Sequence, residues 1–337
     1  MMRTRDALLI AWLLAPLTAA GVPAASATQG TPAGGPSAET RVYELPGDDV
    51  YPNGIAVDAA ANAFYVGNTE DGTVLRGDLE TGEMAVFSEG GADDRGPVFG
   101  MELDEGGRLY LAARPDRVFV YDTADGALLG RFATGREESR LQEIALAPDG
   151  AAYLTDAADP VLYRIPPGAA AGAGTGSAPT AELDPFLDFT GTAFAYQDGA
   201  DLAGINADGI VATRDGAYLL IVQPNTGKLY RVAVATREVV AVDLGGATLE
   251  RGNGMDLAGQ TLYVVRIEDG LVVPVTMAED FASGVVGEPV ADPTFDRPTA
   301  IALVGDGTAL VANHQASPPD PAELPFVVTR LVLPTAP

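Results

Sequence analysis

Short apolar runs, each preceded by a small or polar residue, alternate along the chain with turn-like stretches rich in Gly, Asp and Asn. Runs of roughly four to eight residues bounded by such turns are typical of half-buried or buried β-strands. Six of the runs resemble one another: VYPNGIAVD (50–58), VFGMELD (98–104), LQEIALAPDG (141–150), ADGIVATRDG (207–216), GNGMDLAG (252–259) and PTAIALVGDG (298–307). The repetition indicates one structural unit used six times.

The six copies are regularly spaced. The position after the small or polar residue is occupied in turn by Gly54, Gly100, Glu143, Gly209, Gly254 and Ala300. These marker positions lie 46, 43, 66, 45 and 46 residues apart, and further apolar runs follow the first one in each unit. A period of roughly forty residues with four short strands is typical of propeller blades. We therefore predict an all-β protein, a six-bladed β-propeller of four-stranded antiparallel blades, rather than a pair of β-sandwiches.

Two lone strands at the ends of the repeat region predict how the ring closes. TRVYELPG (40–47) precedes the first unit and PFVVTRLVLP (325–334) ends the last one. Pairing them within the sixth blade would leave no exposed strand edge. The long third gap contains a Gly- and Ala-rich run, 166–180. We interpret residues 166–206 as a loop insertion in a single propeller domain, 40–337.

The N-terminus has the pattern of an export signal. Arg3 and Arg5 precede an apolar run, and Ala-Ser-Ala at 25–27 fits a cleavage site with small residues. We predict a signal peptide at 1–27 and a flexible leader at 28–39. The protein is then expected outside the cell or in an envelope space, without a membrane anchor after cleavage. An uncleaved anchor is the alternative, which the short, proline-containing apolar run disfavours.

Charge and composition disfavour several classes of function. With 47 acidic and 20 basic residues the formal net charge is −27, which argues against nucleic acid and anionic membranes as partners. The same acidity suits a protein that holds a hard cation. The sequence has no cysteine and one histidine, so it offers no thiolate ligand or nucleophile, and a zinc site is disfavoured.

A propeller brings two sets of residues to one mouth of its central channel. The inner strand of each blade lines the channel, and the second strand returns to the end at which the first begins. The first set, called here the leading residues, stands where the inner strands start: Asn53, Phe99, Gln142, Asp208, Asn253 and Thr299. The second set stands where the second strands end: Asn68, Arg114, Asp156, Gln223, Arg266 and His314.

Four of the leading residues carry the side-chain oxygens expected of metal ligands. The predicted ligands are Asn53, Gln142, Asp208 and Asn253. Amide and carboxylate oxygens around one axis suit Ca²⁺ first, with Mg²⁺ or Mn²⁺ next. Each residue taken alone has a plainer interpretation, because Asn and Asp before Gly are ordinary turn formers.

Three stretches carry a resemblance to a known family. NGIAVD (53–58), APDGAAYLTDAADPVLYRI (147–165) and GNGMDL (252–257) resemble the SMP-30/gluconolactonase/LRE-like six-bladed propellers, and the resemblance covers roughly residues 40–335. It implies a divalent cation at the top of the channel, held by a Glu, one or two Asn and an Asp at the start of the inner strands. It also implies hydrolysis of sugar lactones or, in related propellers, of organophosphates.

The ligand positions depart from the family pattern. Asn53 stands where the family often has a Glu, Asp208 stands at a family Asn, and Asn253 lies near the family Asp. Gln142 matches an occasional Asn. The lower number of carboxylates implies a weaker cation site. Candidates to compensate are Glu143, Asp198 and Asp201.

The leading hypothesis is a secreted, monomeric, metal-dependent hydrolase of the lactonase or esterase type that acts on a small lactone or ester. The cation would polarise the carbonyl, and His314 or Asp208 would act as general base on the attacking water. The predicted substrate-binding residues are Asp156, Arg114, Gln223 and Arg266. Packing of the lone His314, and ion pairs between these arginines and carboxylates, are the plainer alternatives.

Two other functions suit the same fold, because a fold does not determine an activity. One is a non-catalytic, NHL-like propeller that binds a protein or a polysaccharide. The other is a metal-free, strictosidine-synthase-like propeller, in which a carboxylate catalyses the condensation of an amine with an aldehyde.

Overall fold

Each of the six sequence units folds into an antiparallel sheet, so the predicted all-β, six-bladed propeller is confirmed. The described residues of this computed structural model are 40–170, 180–198, 204–315 and 322–334. The predicted signal peptide (1–27) and leader (28–39) lie outside them. Within the described residues, no helix is long and apolar enough to cross a membrane.

The strands of the first three blades follow one another from the channel outward. β1 (Arg41–Glu44) comes first in the chain but belongs to the last blade. Blade 1 contains β2 (Pro52–Asp58), β3 (Ala63–Asn68), β4 (Val74–Asp78) and β5 (Met84–Ser88). A 3₁₀ turn at Ala92–Asp94 leads to blade 2, which contains β6 (Val98–Leu103), β7 (Arg108–Ala113), β8 (Arg117–Asp122) and β9 (Leu128–Ala133). Blade 3 contains β10 (Leu141–Leu146), β11 (Ala152–Asp156) and β12 (Val161–Ile165); the short β13 (Ala181–Glu182) pairs in parallel with β9, and β14 (Asp184–Asp188) completes blade 3.

The last three blades repeat this order. Blade 4 contains β15 (Ile210–Ala212), β16 (Tyr218–Gln223), β17 (Lys228–Ala233) and β18 (Val239–Ala241). Blade 5 contains β19 (Gly252–Ala258), β20 (Thr261–Arg266), β21 (Leu271–Met277) and β22 (Gly284–Val286), and β23 (Val290–Ala291) also pairs with β21. Blade 6 contains β24 (Pro298–Leu303), β25 (Thr308–Asn313) and β26 (Val327–Val332), with β1 as its outermost strand.

The ring closes as the sequence predicts, by pairing of the N-terminal β1 with the C-terminal β26. Their antiparallel register matches Arg41 with Arg330 and Glu44 with Val327. The apolar core has six clusters, one at each contact between neighbouring blades. Because every blade buries both faces against its neighbours, the hydrophobic effect holds a closed ring without any disulfide.

Glycine recurs at the marker positions because neighbouring inner strands nearly touch there. A Cβ atom added to Gly54 would lie 2.4 Å from the carbonyl oxygen of Phe99, and one added to Gly209 would lie 2.2 Å from that of Asn253. Such distances are far below van der Waals contact, so there is no room for a side chain at Gly54 or Gly209. Blade 3 differs, because its marker residue is Glu143, whose carboxylate lies 2.7 Å from where the Cβ of a residue replacing Gly100 would be.

The segment predicted as a loop insertion, 166–206, supplies part of the third blade. It contains β14, which is the outermost strand of that blade. Phe189 and Phe194 then pack with ring centroids 4.6 Å apart, in the cluster between blades 3 and 4. The sequence pattern did not predict this strand, because the Gly- and Ala-rich run 166–180 separates β14 from the other strands of its blade. Asp201 lies outside the described residues.

Candidate active site at the mouth of the channel

The leading residues of all six blades line one cavity at the mouth of the channel. Its volume is about 270 Å³, near the lower end of the range of roughly 300–1,000 Å³ for ligand pockets. The predicted set is found there complete: Asn53, Phe99, Gln142, Asp208, Asn253 and Thr299. From the second predicted set, Arg114 and His314 line the same cavity. The structure thus brings together residues that are up to 261 positions apart in the chain.

An irregularity in strand pairing at the start of the inner strand positions the side chains of most of the leading residues. In five blades the pairing of the first and second strands shifts register at the leading residue. A β-bulge places an extra residue in one strand and re-aims its side chain. In blade 4, Asp208 lies just before β15, and its backbone N–H donates to the carbonyl oxygen of Val222 at 3.2 Å. The polar-Gly dipeptides of the sequence mark these local irregularities.

Asp208 is the buried acid of the cavity. It is 2% exposed, and the Gln142 amide donates to its carboxylate at 3.4 Å. Burial raises the pKa of Asp208 to about 7, although the positive charge of Arg114 and the bond from Gln142 oppose the rise. At neutral pH this carboxyl group therefore exchanges a proton readily, as a general acid or base must.

Arg114 occupies the middle of the predicted ligand set. Its guanidinium group donates to the amide oxygen of Gln142 and lies over the ring of Phe99, with Cζ 3.6 Å from the ring centroid. Burial lowers the pKa of Arg114 to about 10, which leaves it charged at neutral pH. A cation–π contact of this kind fixes the orientation of the guanidinium. Gln142 is consequently engaged by an arginine rather than free for a metal.

A column of acidic residues continues from the mouth into the channel. Glu143 lines both the mouth cavity and a smaller void below it, and Glu102 lines that lower void. Burial, with the negative charges of Asp208 and Glu102, raises the pKa of Glu143 well above its usual value. Burial, followed by the charge of Asp256, raises the pKa of Glu102 to about 8. Our sequence analysis missed Glu102 and Asp256, although each stands two residues after a marker glycine and so on the same face of its strand.

The raised pKa of Glu102 predicts a stability that falls as the pH rises. The carboxyl group of glutamate ionises near pH 4.5 in the unfolded chain, but that of Glu102 ionises only near pH 8 in the folded protein. The stability that protonated Glu102 contributes is therefore fully present below about pH 4.5 and is lost as the pH rises towards 8. With EDTA present, Glu102→Gln is expected to raise the free energy of unfolding at pH 8 by about 1–3 kcal/mol, with little effect at pH 4.5. Urea titrations at both pH values measure this. Exposed Glu105→Gln is the matched control, and equal shifts in the two variants would contradict the assignment.

His314 lies at the edge of the cavity, directly after β25. Its Nε2 is 3.3 Å from the hydroxyl oxygen of Thr69, and its ring packs against Tyr51 with the centroids 5.5 Å apart. Its backbone N–H donates to the carbonyl oxygen of Arg297 at 3.1 Å. These contacts fix the imidazole at the mouth, where it lines the same cavity as Asp208. Its role as a general base stays a prediction.

Asp156 does not line the cavity. The carboxylate is fully buried and accepts hydrogen bonds from three backbone N–H groups, those of Arg140, Ala158 and Asp159, at 2.8–3.0 Å. The hydroxyl of Ser139 donates to it as well, at 2.5 Å. Asp156 therefore stabilises the loops on either side of its strand, because buried N–H groups need acceptors. The predicted role in substrate binding is not supported by this position.

Gln223 and Arg266 also point elsewhere. The Gln223 amide donates to the carbonyl oxygen of Ala195 at 2.9 Å and accepts a hydrogen bond from Thr226 at 2.7 Å. Arg266 forms an ion pair with Asp269 and donates to a backbone carbonyl. Neither side chain lines the mouth cavity. Both side chains instead bond to the loop that follows their strand or to neighbouring backbone, and their role in substrate binding stays a prediction.

Arg297 is a cavity residue that sequence analysis missed. It stands two positions before the leading residue Thr299 and lines the mouth. Its backbone is left-handed, with φ of 50°, immediately before Pro298. A non-glycine residue in this region costs roughly 1–2 kcal/mol and is found preferentially at functional sites. No sequence signal marks it, because arginine and proline are each common in loops.

The oxygen donors of the cavity suit a hard cation. Asp208 and Glu143 supply carboxylates, and Asn53 and Asn253 supply amide oxygens, to the same cavity. That is the ligand chemistry of Ca²⁺ or Mg²⁺. Among the described residues, no group of three or more His, Cys, Asp or Glu side chains is placed to hold a metal ion. A cation site here would therefore depend on the two amides.

By its fold the protein belongs to the class of six-bladed β-propellers. No model of a protein family matches the chain, and no curated protein matches its sequence. Among solved structures it is similar to regucalcin, a calcium-binding protein of Agrobacterium tumefaciens, with a TM-score of 0.60 and 14% identity over 86% of this chain and 94% of the other. It is similar to a luciferin-regenerating enzyme, with a TM-score of 0.58 and 12% identity over 87% of this chain and 95% of the other. It is also similar to virginiamycin B lyase of Staphylococcus aureus, with a TM-score of 0.54 and 13% identity over 88% of this chain and 99% of the other. At these identities the likeness shows the fold alone.

Proposed function

We propose that the protein is a metal-dependent hydrolase of small lactones or esters, as the resemblance to the SMP-30/gluconolactonase/LRE-like propellers implies. The observation that carries the proposal is the convergence of the leading residues on one cavity, with the buried acid Asp208 among them. Of the structurally similar proteins, one is described as calcium-binding and two are named as enzymes, which supports the proposal.

The residues proposed to hold the cation are Asn53, Glu143, Asp208 and Asn253. All four line the cavity and all offer hard oxygen donors, so Ca²⁺ is proposed first, with Mg²⁺ or Mn²⁺ next. When bound, the cation supplies Lewis acidity at the substrate carbonyl. Gln142 is left out of the set because a charged group, Arg114, donates to its amide oxygen. The amide oxygen of Asn253 accepts one neutral hydrogen bond, from the backbone N–H of Gly254 at 3.0 Å, and keeps a lone pair for a cation.

Two groups of the chain are proposed to handle the proton of the attacking water. His314 is held at the rim by its contacts with Thr69 and Tyr51. Asp208 is the second group: burial raises its pKa to about 7 in the protein without a cation, whereas a bound cation would lower that pKa and leave the base role to His314. A base whose pKa lies near the working pH transfers protons efficiently. Ile205 and Ile267 also line the cavity and supply apolar surface that excludes water from the substrate.

Calcium binding predicts a change in thermal stability. A ligand at about one hundred times its Kd stabilises the folded state by about 2.7 kcal/mol, so the melting temperature should be higher in CaCl₂ than in EDTA. Asn53→Asp adds a carboxylate to the ligand set and should tighten calcium binding by about tenfold. Differential scanning calorimetry and calcium titration measure these effects. Identical melting in EDTA and CaCl₂, with no gain in Asn53→Asp, would remove the cation from the proposal.

A metal-free activity is the second candidate, and the position of Arg114 favours it. Its guanidinium already supplies a positive charge beside Gln142 and Asp208, where a cation would otherwise be placed. Turnover that persists in EDTA supports this candidate, and binding of a protein or a polysaccharide without any turnover supports a non-catalytic propeller.

We also propose that the mature protein is exported and monomeric. The basis for export is the N-terminal pattern of basic, apolar and small residues. N-terminal sequencing of protein recovered outside the cytoplasm, starting near residue 28, together with light scattering, tests both points.

A further inference from the structure

We propose that the mouth cavity binds an oxyanionic group, a carboxylate or a phosphate, between the guanidinium groups of Arg114 and Arg297. The inference rests on the proposed function only in treating the bound molecule as the substrate. It then assigns the substrate class as a small ester or lactone that carries an oxyanionic group.

The first reason is that these two arginines lack carboxylate partners in a strongly acidic protein. Eight arginines of the described residues form ion pairs with Asp or Glu. Nine described arginines form no such pair although acidic residues outnumber basic ones by 47 to 20, and of these nine only Arg114 and Arg297 line the mouth cavity. Asp208 and Asp156 attract Arg114, and Asp296 attracts Arg297, at longer range and without a direct ion pair. Both guanidinium groups are therefore available to an anion that enters the cavity.

The second reason is that both side chains have unused donors at the cavity. The Nε atoms of Arg114 and Arg297 are buried without a hydrogen-bond partner. The Nε atoms of Arg131, Arg164 and Arg231 also lack an acceptor. However, Arg131 and Arg164 form ion pairs through their terminal nitrogens, Arg231 donates to the carbonyl oxygen of Asp280, and none of the three lines the mouth cavity. The Arg297 side chain makes no hydrogen bond to any other described residue. A buried donor without an acceptor is costly, and an oxyanion satisfies it.

The third reason is the order of charges around the ring. Arg297 comes from blade 6, next to blade 1, where the Asn53 amide lies. Arg114 follows the second strand of blade 2, and its guanidinium reaches Gln142 of blade 3. Asp208 comes from blade 4, on the opposite side of the channel from blade 1. Glu143 also lines the void below, so its carboxylate lies deeper. Arg297 is therefore the cationic group on the side of the channel away from Asp208, whereas Arg114 is linked to Asp208 through Gln142, so a ligand whose anionic group contacts both arginines has the buried acid beside it.

The backbone of Arg297 holds this side chain at the mouth. The residue has a φ of 50°, and its carbonyl oxygen accepts a hydrogen bond from the backbone N–H of His314 at 3.1 Å. The left-handed conformation of Arg297 is thus held by the residue that directly follows β25, the second strand of the same blade. Arg114 is held from the other side by Phe99 and Gln142. The Arg114 side chain, which is held before binding, loses little freedom when an anion binds, which favours affinity.

Calorimetric titration with a matched pair of probes tests the inference. Butyrate and butyramide have the same shape and differ in charge, and inorganic phosphate serves as the second anion. Wild-type protein in EDTA is expected to bind at least one of the anions at least about tenfold more tightly than butyramide. Arg297→Gln and Arg114→Gln should each weaken binding of that anion by about tenfold. The matched control is Arg214→Gln, an exposed arginine that lines a different surface pocket, and it should bind like wild type.

The outcomes separate the possibilities. A stronger response to phosphate assigns the natural ligand to phosphate compounds, and a stronger response to butyrate assigns it to carboxylates. No preference of either anion over butyramide, wild-type affinity in both cavity variants, or anion binding that requires calcium would each overturn the inference. Circular dichroism of every variant confirms folding, and Arg297→Gln carries the test if Arg114→Gln unfolds. Anion binding without any hydrolysis would leave this inference standing and refute the proposed function.

Discussion

Replacing Asp208 with asparagine is expected to lower kcat/KM for lactone or ester hydrolysis by about 100-fold or more, while the propeller stays folded. The substitution keeps the shape of the side chain and removes both its charge and its proton. Burial already raises the pKa of this acid to about 7, so the neutral amide should leave the melting temperature at pH 8 equal or higher. The same variant should bind calcium more weakly, since half of the proposed carboxylate ligands are lost.

Asp156→Asn is the matched control for this variant. Asp156 is also a buried aspartate, but it accepts hydrogen bonds from loop N–H groups and does not line the cavity. Its replacement should cost about 1–3 kcal/mol of stability, since an amide cannot accept all of those bonds, and should leave kcat/KM of the folded protein nearly unchanged. Wild-type hydrolysis in Asp208→Asn, or equal losses of activity in the two variants, would show that the mouth cavity is not the active site.

Replacing Gly209 with alanine is expected to cost about 3 kcal/mol or more of stability. The new Cβ would lie 2.2 Å from the carbonyl oxygen of Asn253 and 2.9 Å from the side chain of Met255. A backbone carbonyl cannot rotate away as a flexible side chain can, so blades 4 and 5 would have to separate at the channel. The cluster of apolar residues between those blades would lose packing as a result. Urea unfolding measures the change in free energy.

Gly106→Ala is the control for this glycine. Gly106 lies in an exposed turn, and an added Cβ there would lie 3.2 Å from the side chain of Asp104 and 3.9 Å from that of Arg108, with no backbone atom as near. Because alanine also restricts the unfolded chain, this change should alter stability by less than about 1 kcal/mol. If Gly209→Ala were as stable as Gly106→Ala, the close approach of the inner strands would not limit side chains at the marker positions.

The leading residues were predictable because two local signals coincide at them. At Asn53 and Asn253 a polar residue before a glycine marks the bulge, and the repeat places the corresponding position at the same end of every blade. The ends of the second strands gave a weaker signal. Arg114 and His314 line the cavity, but Asp156 and Gln223 bond to nearby loops. Sequence spacing locates a residue along a strand, whereas the competing hydrogen bonds of its loop decide where its side chain goes.

The sequence by itself determined the architecture of this protein. A strand pattern repeated about every forty-five residues yields blades that can bury both faces only against like neighbours, and the lone strands at 40–47 and 325–334 complete the ring. Only the tertiary structure decided the chemistry of the mouth. It placed Arg114 against Gln142, Arg297 beside His314, and Glu102 below Glu143. The physical reason is that strand formation depends on local periodicity, while charge, burial and pKa depend on side chains brought together from distant parts of the chain.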